Sequence, residues 1–165
     1  MDFFTFAFYD KLSDFTLFSS IALLFLYLFL KHKDKIIDFS VALLIAITVS
    51  KVVKYLTNFP RPEGILVFDD ASFPSMHTAM AFTTFFFFIN VCHRLRYGKE
   101  CYFKDFRKPM DIAFLIVLFI LNFFTAIFRI TSTAHSLIDV IAGIILGLII
   151  SLVFVYYDVS VKRER

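Results

Sequence analysis

The stretch RITSTAHSLIDVIAGIILGLIISLVFVYY, residues 129–157, joins a short polar segment to a long apolar run. A membrane-spanning helix needs about 20 apolar residues, and Leu137–Tyr157 meets that length. Four shorter apolar runs precede it, at Phe15–Leu30, Ile36–Val53, Thr78–Cys92 and Ile112–Phe128. We therefore expect an all-α integral membrane bundle of about five transmembrane helices, forming a single domain over residues 1–165. Residues 1–14 alternate aromatic and polar positions, which predicts a separate N-terminal segment lying in the membrane interface.

Composition supports this fold class and excludes others. The chain is 59% apolar and 19% charged, with a mean hydropathy of +0.79. Soluble domains average about 45–50% apolar and about 25% charged residues, and a small domain cannot hide such an excess of apolar surface. A disordered chain would have few aromatic residues, whereas 19% are aromatic here. The net charge of +3 is small and the basic residues are not massed together, which argues against nucleic-acid binding.

The distribution of basic residues predicts the orientation in the membrane. With five spans, 12 of the 17 Lys and Arg residues fall in the segments 31–35, 94–108 and 162–165, which lie on one side. Positive loops are retained in the cytoplasm, so these segments and the C-terminus are predicted to be cytoplasmic. The five remaining basic residues are then on the outer side, where basic residues are disfavoured, so their presence there needs a physical reason. They are Lys11, Lys51, Lys54, Arg61 and Arg129.

Polar residues cluster at the outer ends of the spans. The second span leads into Lys54 and then Arg61-Pro62, and the third opens with Pro74-Ser-Met-His77. The fourth ends at Arg129, and the fifth opens with His135-Ser-Leu-Ile-Asp139. We therefore expect these three motifs to meet at one membrane depth on the extracytoplasmic side.

The residue types fit the chemistry of a phosphoryl group. Arg61 and Arg129 can each grip phosphate oxygens bidentately, and Lys54 adds a point charge. The predicted helix start at Pro74–His77 offers backbone N–H groups and the positive end of a helix dipole, which together form an anion site. Ser75 can add a hydroxyl. Cations held on the disfavoured side of the membrane are therefore interpreted as phosphate ligands.

Two histidines and one carboxylate supply the groups for phosphoryl transfer. His135 and Asp139 are four residues apart and share one helix face, so the carboxylate can hold one imidazole nitrogen while the other attacks phosphorus. His77 can act as general acid near neutral pH. These three residues could also ligate a metal ion as a facial triad, but the crowded cations would repel it. The arrangement requires no metal and no cofactor.

The order and spacing of these motifs resemble the three-part signature of the type 2 phosphatidic acid phosphatase family, over about residues 51–157. The resemblance implies a metal-independent phosphatase with a phosphohistidine intermediate. It implies that His135 is the nucleophile, Asp139 its partner and His77 the leaving-group acid. It also assigns the phosphate contacts, including the backbone N–H of Met76, as follows: Lys54, Arg61, Ser75, Met76 and Arg129.

Two positions depart from the family pattern. Met76 stands where the family usually has Gly, so a backbone angle open only to Gly would be unavailable. Phe128 stands where the family commonly has Ser, so the hydroxyl group that Ser would supply at this position is missing. The family also commonly has six spans, and with five apolar runs we expect the first of them to be missing from this chain.

The function predicted from the sequence is hydrolysis of a lipid phosphate in the outer leaflet. Prenyl diphosphate carriers and phosphatidyl phosphates are the leading substrates, and analogy with small family members favours the first. A phosphotransferase using the same site and a non-catalytic lipid or anion carrier remain alternatives. Gly143 and Gly147 form a small-xxx-small pattern that predicts a close helix contact, within the chain or between chains, and the oligomeric state stays open.

Overall fold

The computed structural model describes residues 3–61, 71–94 and 109–163. Within these ranges the chain is helical, which confirms the all-α prediction. A short 3₁₀ turn at Lys33–Lys35 connects the first two of five α-helices. The α-helices are α1 (Phe3–Lys31), α2 (Ile36–Thr57), α3 (Met76–Arg94), α4 (Pro109–Thr131) and α5 (Leu137–Arg163). Pro62 of the first motif and most of the predicted cytoplasmic segment 94–108 lie outside the described residues.

Four described segments are long and apolar enough to cross a membrane: Phe4–Lys31, Lys33–Thr57, Pro109–Thr131 and Leu137–Phe154. The apolar part of α3, Met76–Cys92, is shorter, as expected from its sequence. Large apolar side chains such as Phe18, Leu44 and Ile138 lie more than 60% exposed on the outside of the bundle. Lipid is the solvent that such a surface requires.

The boundary predicted after residue 14 was wrong, because α1 runs from Phe3 to Lys31 without a break. Polar residues at Asp10, Ser13 and Asp14 lowered the apparent hydropathy of the segment and suggested a separate element. Instead, Ser13 is fully buried and both aspartates contact side chains of other helices. These polar residues therefore face the other helices of the bundle and do not form a separate segment.

The core lies between α1, α2 and α3, with a contribution from α4. Its largest buried side chains include Leu24, Leu28, Phe39, Phe88 and Leu118. A smaller cluster, which includes Leu17, Phe82 and Val140, joins α1, α3 and α5. The two clusters hold the helices in fixed register beneath the polar end of the bundle.

Helices α3 and α5 pack closely because two glycines of α5 face α3. A Cβ atom built on Gly143 would lie 2.7 Å from the Ser75 carbonyl oxygen. A Cβ atom on Gly147 would lie 2.7 Å from the Thr83 nitrogen and 2.9 Å from the Ala79 carbonyl oxygen. The small-xxx-small contact is therefore internal to the chain, and it sets the distance between the first turns of both helices.

We expect Gly147→Ala to lower the stability of the bundle. The added methyl group meets backbone atoms that cannot rotate away, and overpacking of this kind costs about 1–3 kcal/mol. The higher helix propensity of Ala returns at most about 1 kcal/mol. The measurement is the thermal midpoint of unfolding in detergent. Val153→Ile is the control, because it also adds one methyl group to α5 but at a side chain that is 58% exposed; equal midpoints for both variants would contradict the packing argument.

Candidate active site

The polar ends of all five helices meet around one cavity. Helices α1, α3 and α5 contribute their N-terminal ends, and α2 and α4 contribute their C-terminal ends. The cavity has a volume of about 220 Å³. The lining residues are Asp10, Asp14, Lys54, Arg61, Met76, His77, Arg129 and His135. Six of the eight residues expected from the sequence thus line one cavity, and the other two, Ser75 and Asp139, are buried beside it.

The chain after α2 is folded back to present two of the cations. Helix α2 ends at Thr57, where Asn58 adopts a left-handed conformation (φ 44°) that turns the chain. The Ser72 N–H donates to the Phe59 carbonyl oxygen (2.9 Å) across this turn. Lys54 Nζ donates to the Ala71 carbonyl oxygen at 2.7 Å. These bonds hold the last turn of α2 against the segment that leads into α3.

Hydrogen bonds tie the three sequence motifs to one another. Arg61 Nη1 donates to the Ala134 carbonyl oxygen at 2.9 Å, which joins the first motif to the third. The Ser75 N–H donates to the Asp139 carbonyl oxygen at 3.0 Å, which joins the second motif to the third. The motifs are therefore fixed relative to one another, although Arg61 and Asp139 are 78 positions apart along the chain.

The connection between α4 and α5 brings Arg129 and His135 together. Thr133 has a left-handed backbone (φ 56°), and the His135 N–H donates to the Arg129 carbonyl oxygen at 3.2 Å. The tight turn places both side chains on the cavity wall. Arg129 is 4% exposed and His135 is 2% exposed.

The contact between these side chains defines the state of the imidazole. Arg129 Nη2 lies 3.2 Å from His135 Nε2. A guanidinium can only donate hydrogen bonds, so Nε2 must be the acceptor and carry a lone pair. The proton of the neutral ring is then on Nδ1, which faces Asp139 Oδ2 at 3.7 Å. The unprotonated nitrogen is therefore the one beside Arg129, and both residues line the cavity.

The expected hydrogen bond between His135 and Asp139 is not formed at 3.7 Å, although the two groups face each other. The reason is that Asp139 also caps α5. Asp139 Oδ2 accepts from the Ser136 N–H (2.8 Å), and the Asp139 N–H donates to Ser136 Oγ (3.2 Å). This reciprocal capping pair holds the carboxylate in place. His135 Nδ1 and Asp139 Oδ1 are both buried without a hydrogen-bond partner.

The start of α3 forms another part of the cavity wall, through Met76 and His77. The N–H groups in the first turn of an α-helix, which begins here at Met76, have no acceptor within the helix. Among the described non-glycine residues, positive φ angles occur only at Asn58 and Thr133, so Met76 does not need a conformation reserved for Gly. The Ser75 hydroxyl lies 2.9 Å from Thr78 Oγ1 and does not line the cavity. The hydroxyl contact with phosphate that was expected for Ser75 is therefore not prepared in the structure, because this side chain is buried beside the cavity.

Two carboxylates that sequence reasoning did not select also line the cavity. Asp10 forms an ion pair with Arg129 Nη1. Asp14, one turn further along α1, lies with Oδ1 3.0 Å from His77 Nε2. Their i, i+4 spacing puts both carboxylates on one face of α1 and was the one signal in the sequence that could have indicated a shared role.

Comparison with known proteins agrees with this geometry. The PAP2 superfamily sequence profile matches residues 35–163. The chain belongs to the PAP2 superfamily. The resemblance carried by the three motifs is thereby confirmed.

Two solved structures share the fold. The crystal structure of Aquifex aeolicus LpxE is 24% identical, with a TM-score of 0.62 over 95% of this chain and 88% of that one. The first transmembrane PAP2-type phosphatidylglycerolphosphate phosphatase from Bacillus subtilis is 19% identical, with a TM-score of 0.70 over 100% of this chain and 82% of that one. A comparison with curated proteins finds no significant match. The chain therefore has the fold of PAP2 membrane lipid phosphatases.

The departures from the PAP2 pattern have different consequences. Met76 fits without strain, as its backbone angle indicates. Phe128 stacks on Tyr9 of α1 and on Phe124, with ring centroids 6.0 and 5.6 Å apart. The aromatic ring thus helps to hold α1 against α4, beside the Asp10–Arg129 pair. The lost hydroxyl is replaced by a packing contact.

The surroundings of His135 keep its imidazole neutral. Burial is the main cause, followed by the positive charges of Arg129, Arg61 and Lys54, and together they lower the pKa of His135 to about 2. A neutral ring at physiological pH agrees with the lone pair on Nε2 that the contact with Arg129 requires.

This pKa predicts a loss of stability in acid. Below pH 6.5, the unfolded chain protonates His135, whereas the folded chain does so only near pH 2. The folded state is therefore disfavoured as the pH falls, by about 1.4 kcal/mol for each unit below about pH 6. The thermal midpoint of wild type should fall more steeply between pH 7 and pH 5 than that of His135→Gln, which cannot titrate. Parallel curves for the two proteins would exclude a strongly depressed pKa.

Proposed function

We propose that this PAP2 protein is a metal-independent lipid phosphatase that works through a phosphohistidine on His135. The observation that carries the proposal is the 3.2 Å contact of His135 Nε2 with the Arg129 guanidinium, in a cavity lined by three cations and a second histidine. Because the guanidinium only donates, this contact leaves a lone pair on Nε2. A carrier for lipids or anions would need the cations. It would not need a buried neutral imidazole directed at the bound anion, with a carboxylate behind it.

The first step transfers the phosphoryl group to the enzyme. Phosphate oxygens contact Arg129, Arg61 and Lys54, with the N–H groups at the start of α3 as further donors. The hydrogen bond between Arg129 and Nε2 of His135 breaks, and the guanidinium binds the phosphate instead. Nε2 then attacks phosphorus, so a P–N bond forms as the P–O bond to the lipid breaks. His77 gives a proton to the departing oxygen. Fixed positive groups stabilise the charge that shifts in the transition state.

The second step releases inorganic phosphate. Water attacks the phosphorus of the phosphohistidine, the P–N bond breaks, and His77 takes the proton from the water. His135 returns to its neutral form with the proton on Nδ1. Asp139 faces Nδ1 throughout and stabilises the ring while it carries extra positive charge.

The substrate we propose is a phosphomonoester or diphosphate of a lipid. The cavity lies at the polar ends of membrane-spanning helices, where a lipid head group can enter while its tail stays in the bilayer. Prenyl diphosphates are favoured by analogy with small family members, and phosphatidyl phosphates by the structural likeness to the Bacillus subtilis phosphatidylglycerolphosphate phosphatase. A phosphotransferase would use the same intermediate with an alcohol in place of water.

We also propose that the cavity faces the extracytoplasmic side. The opposite end of the described bundle carries Lys31, Lys33 and Lys35. In the sequence, the segment 94–108 between α3 and α4 and the segment 162–165 hold nine further Lys and Arg residues, and such residues are enriched in cytoplasmic segments. Lys54, Arg61 and Arg129 remain on the other side because they bind an anion.

The central experiment is an assay of phosphate release from purified protein in detergent, with chelator present. We expect turnover of a lipid phosphate by wild type and none above background by His135→Ala. His77→Ala should retain the fold but lose about 10²–10⁴-fold in kcat, as removal of a general acid does. Arg129→Ala should mainly raise KM. The panel contains phosphatidyl phosphates, prenyl diphosphates and soluble phosphoesters.

The control for this assay is His32→Ala, which removes a histidine from the opposite end of the bundle. It should retain wild-type turnover. Full activity of His135→Ala, or activity that appears only when a divalent ion is added, would refute the mechanism.

A further prediction concerns Asp10. Its carboxylate forms an ion pair with the guanidinium of Arg129, which we propose as a phosphate ligand. In Asp10→Asn the buried Arg129 loses its counter-ion, so the ligand-free protein should have a lower thermal midpoint. In the variant, inorganic phosphate no longer competes with the Asp10 carboxylate for Arg129. Added phosphate should therefore raise the thermal midpoint more in the variant than in wild type.

Asp111→Asn is the matched control for this titration. Asp111 is 21% exposed and paired with Lys31 at the other end of the bundle, whereas Asp10 is 24% exposed. The control should leave the phosphate-dependent shift unchanged. A smaller phosphate response in Asp10→Asn than in wild type would contradict the competition.

A further inference from the structure

We propose that Asp14 is the positioning residue of His77, so that the site contains a second His–Asp pair built from α1 and α3. This inference rests on the proposed phosphatase function. Asp14 Oδ1 lies 3.0 Å from His77 Nε2, a direct charge-assisted contact. Helix α1 precedes the residues 35–163 that match the PAP2 profile, so the family match assigns no role to this carboxylate.

The contact determines which ring nitrogen of His77 can serve the leaving group. An ionised carboxylate only accepts hydrogen bonds, so Nε2 of His77 carries a proton that it donates to Asp14. Nδ1 is then the nitrogen that gives a proton to the departing oxygen. After that transfer, His77 is neutral and still bound to Asp14, and Nδ1 can accept the proton of the attacking water.

The same contact fixes the ring. The exposed fractions are 25% for His77 and 40% for Asp14, so His77 is not held by burial as His135 is. A carboxylate held on a neighbouring helix restricts its rotation and places a negative charge next to the imidazolium. Asp10 lies one turn before Asp14 on α1 and pairs with Arg129, which anchors this part of α1 against α4. Asp14 therefore presents its carboxylate to His77 from a fixed position.

The choice of substrate can show whether Asp14 acts on proton transfer to the leaving group or only supports the structure. Expulsion of an alkoxide needs a proton, whereas nitrophenolate leaves without one. The constant kcat/KM reports the steps up to the first irreversible one, which includes loss of the leaving group. The experiment therefore compares two phosphomonoesters with matched alkyl tails, one an alkyl ester and the other a nitrophenyl ester, in detergent with chelator.

We expect Asp14→Asn to lower kcat/KM for the alkyl ester by about 10- to 100-fold and for the nitrophenyl ester by less than about 3-fold. In a His77→Ala background, Asp14→Asn should cause no further loss with the alkyl ester. Asp38→Asn is the matched control: its carboxylate is 41% exposed and 3.1 Å from Lys35 at the opposite end of the bundle. It should change neither constant.

Equal losses for both esters, or a full additional loss in the His77→Ala background, would overturn the positioning role. If Asp14→Asn does not fold, the comparison is made with Asp14→Glu, which keeps the charge but displaces it; the alkyl ester should again be affected more. Failure of wild type to hydrolyse either ester, or full activity of His135→Ala, would refute the proposed phosphatase function and the positioning role with it. Turnover by wild type with equal losses in the Asp14 variants would refute the positioning role alone.

Discussion

The contact between the Arg129 guanidinium and His135 Nε2 is the interaction on which the site depends. It requires a neutral imidazole with its Nε2 lone pair toward Arg129, because arginine has no acceptor to offer. Burial of both side chains supports that state, since it disfavours a second positive charge beside the first. The backbone hydrogen bond between the same two residues makes the arrangement a property of the α4–α5 turn rather than of flexible side chains.

Close packing of α3 and α5 sets the position of the α3 N-terminus relative to the α4–α5 turn. Gly143 and Gly147 allow the backbones to approach until an added Cβ would collide with backbone atoms of α3. The first turn of α3 is thereby brought to α5, where the Ser75 N–H reaches the Asp139 carbonyl oxygen. The helix N-terminus that we propose as a phosphate contact is therefore positioned by two residues that carry no functional group.

Features with a regular pattern or a known spacing could be predicted from the sequence, whereas features that depend on three-dimensional contact could not. Apolar runs indicated the helices, and the motifs around His77 and His135 indicated the cavity. Asp10 and Asp14 were missed because they interrupt an apolar helix and their partners lie more than 60 positions away. The i, i+4 spacing of His135 and Asp139 could not predict the distance between their side chains either. The Ser136 N–H also donates to the Asp139 carboxylate and so competes with His135 for it.

The missed carboxylates also explain how three cations can stand at the end of a membrane bundle in the absence of substrate. Lys54, Arg61 and Arg129 line the cavity together with Asp10 and Asp14, so the charges of these side chains nearly cancel. An uncompensated charge near the hydrocarbon region is costly, and the paired carboxylates reduce that cost. If a phosphate binds as proposed, it replaces the contact of Asp10 with Arg129 by one of its own. Substrate binding is then an exchange of anions on a guanidinium that stays buried, which requires little reorganisation of the helices.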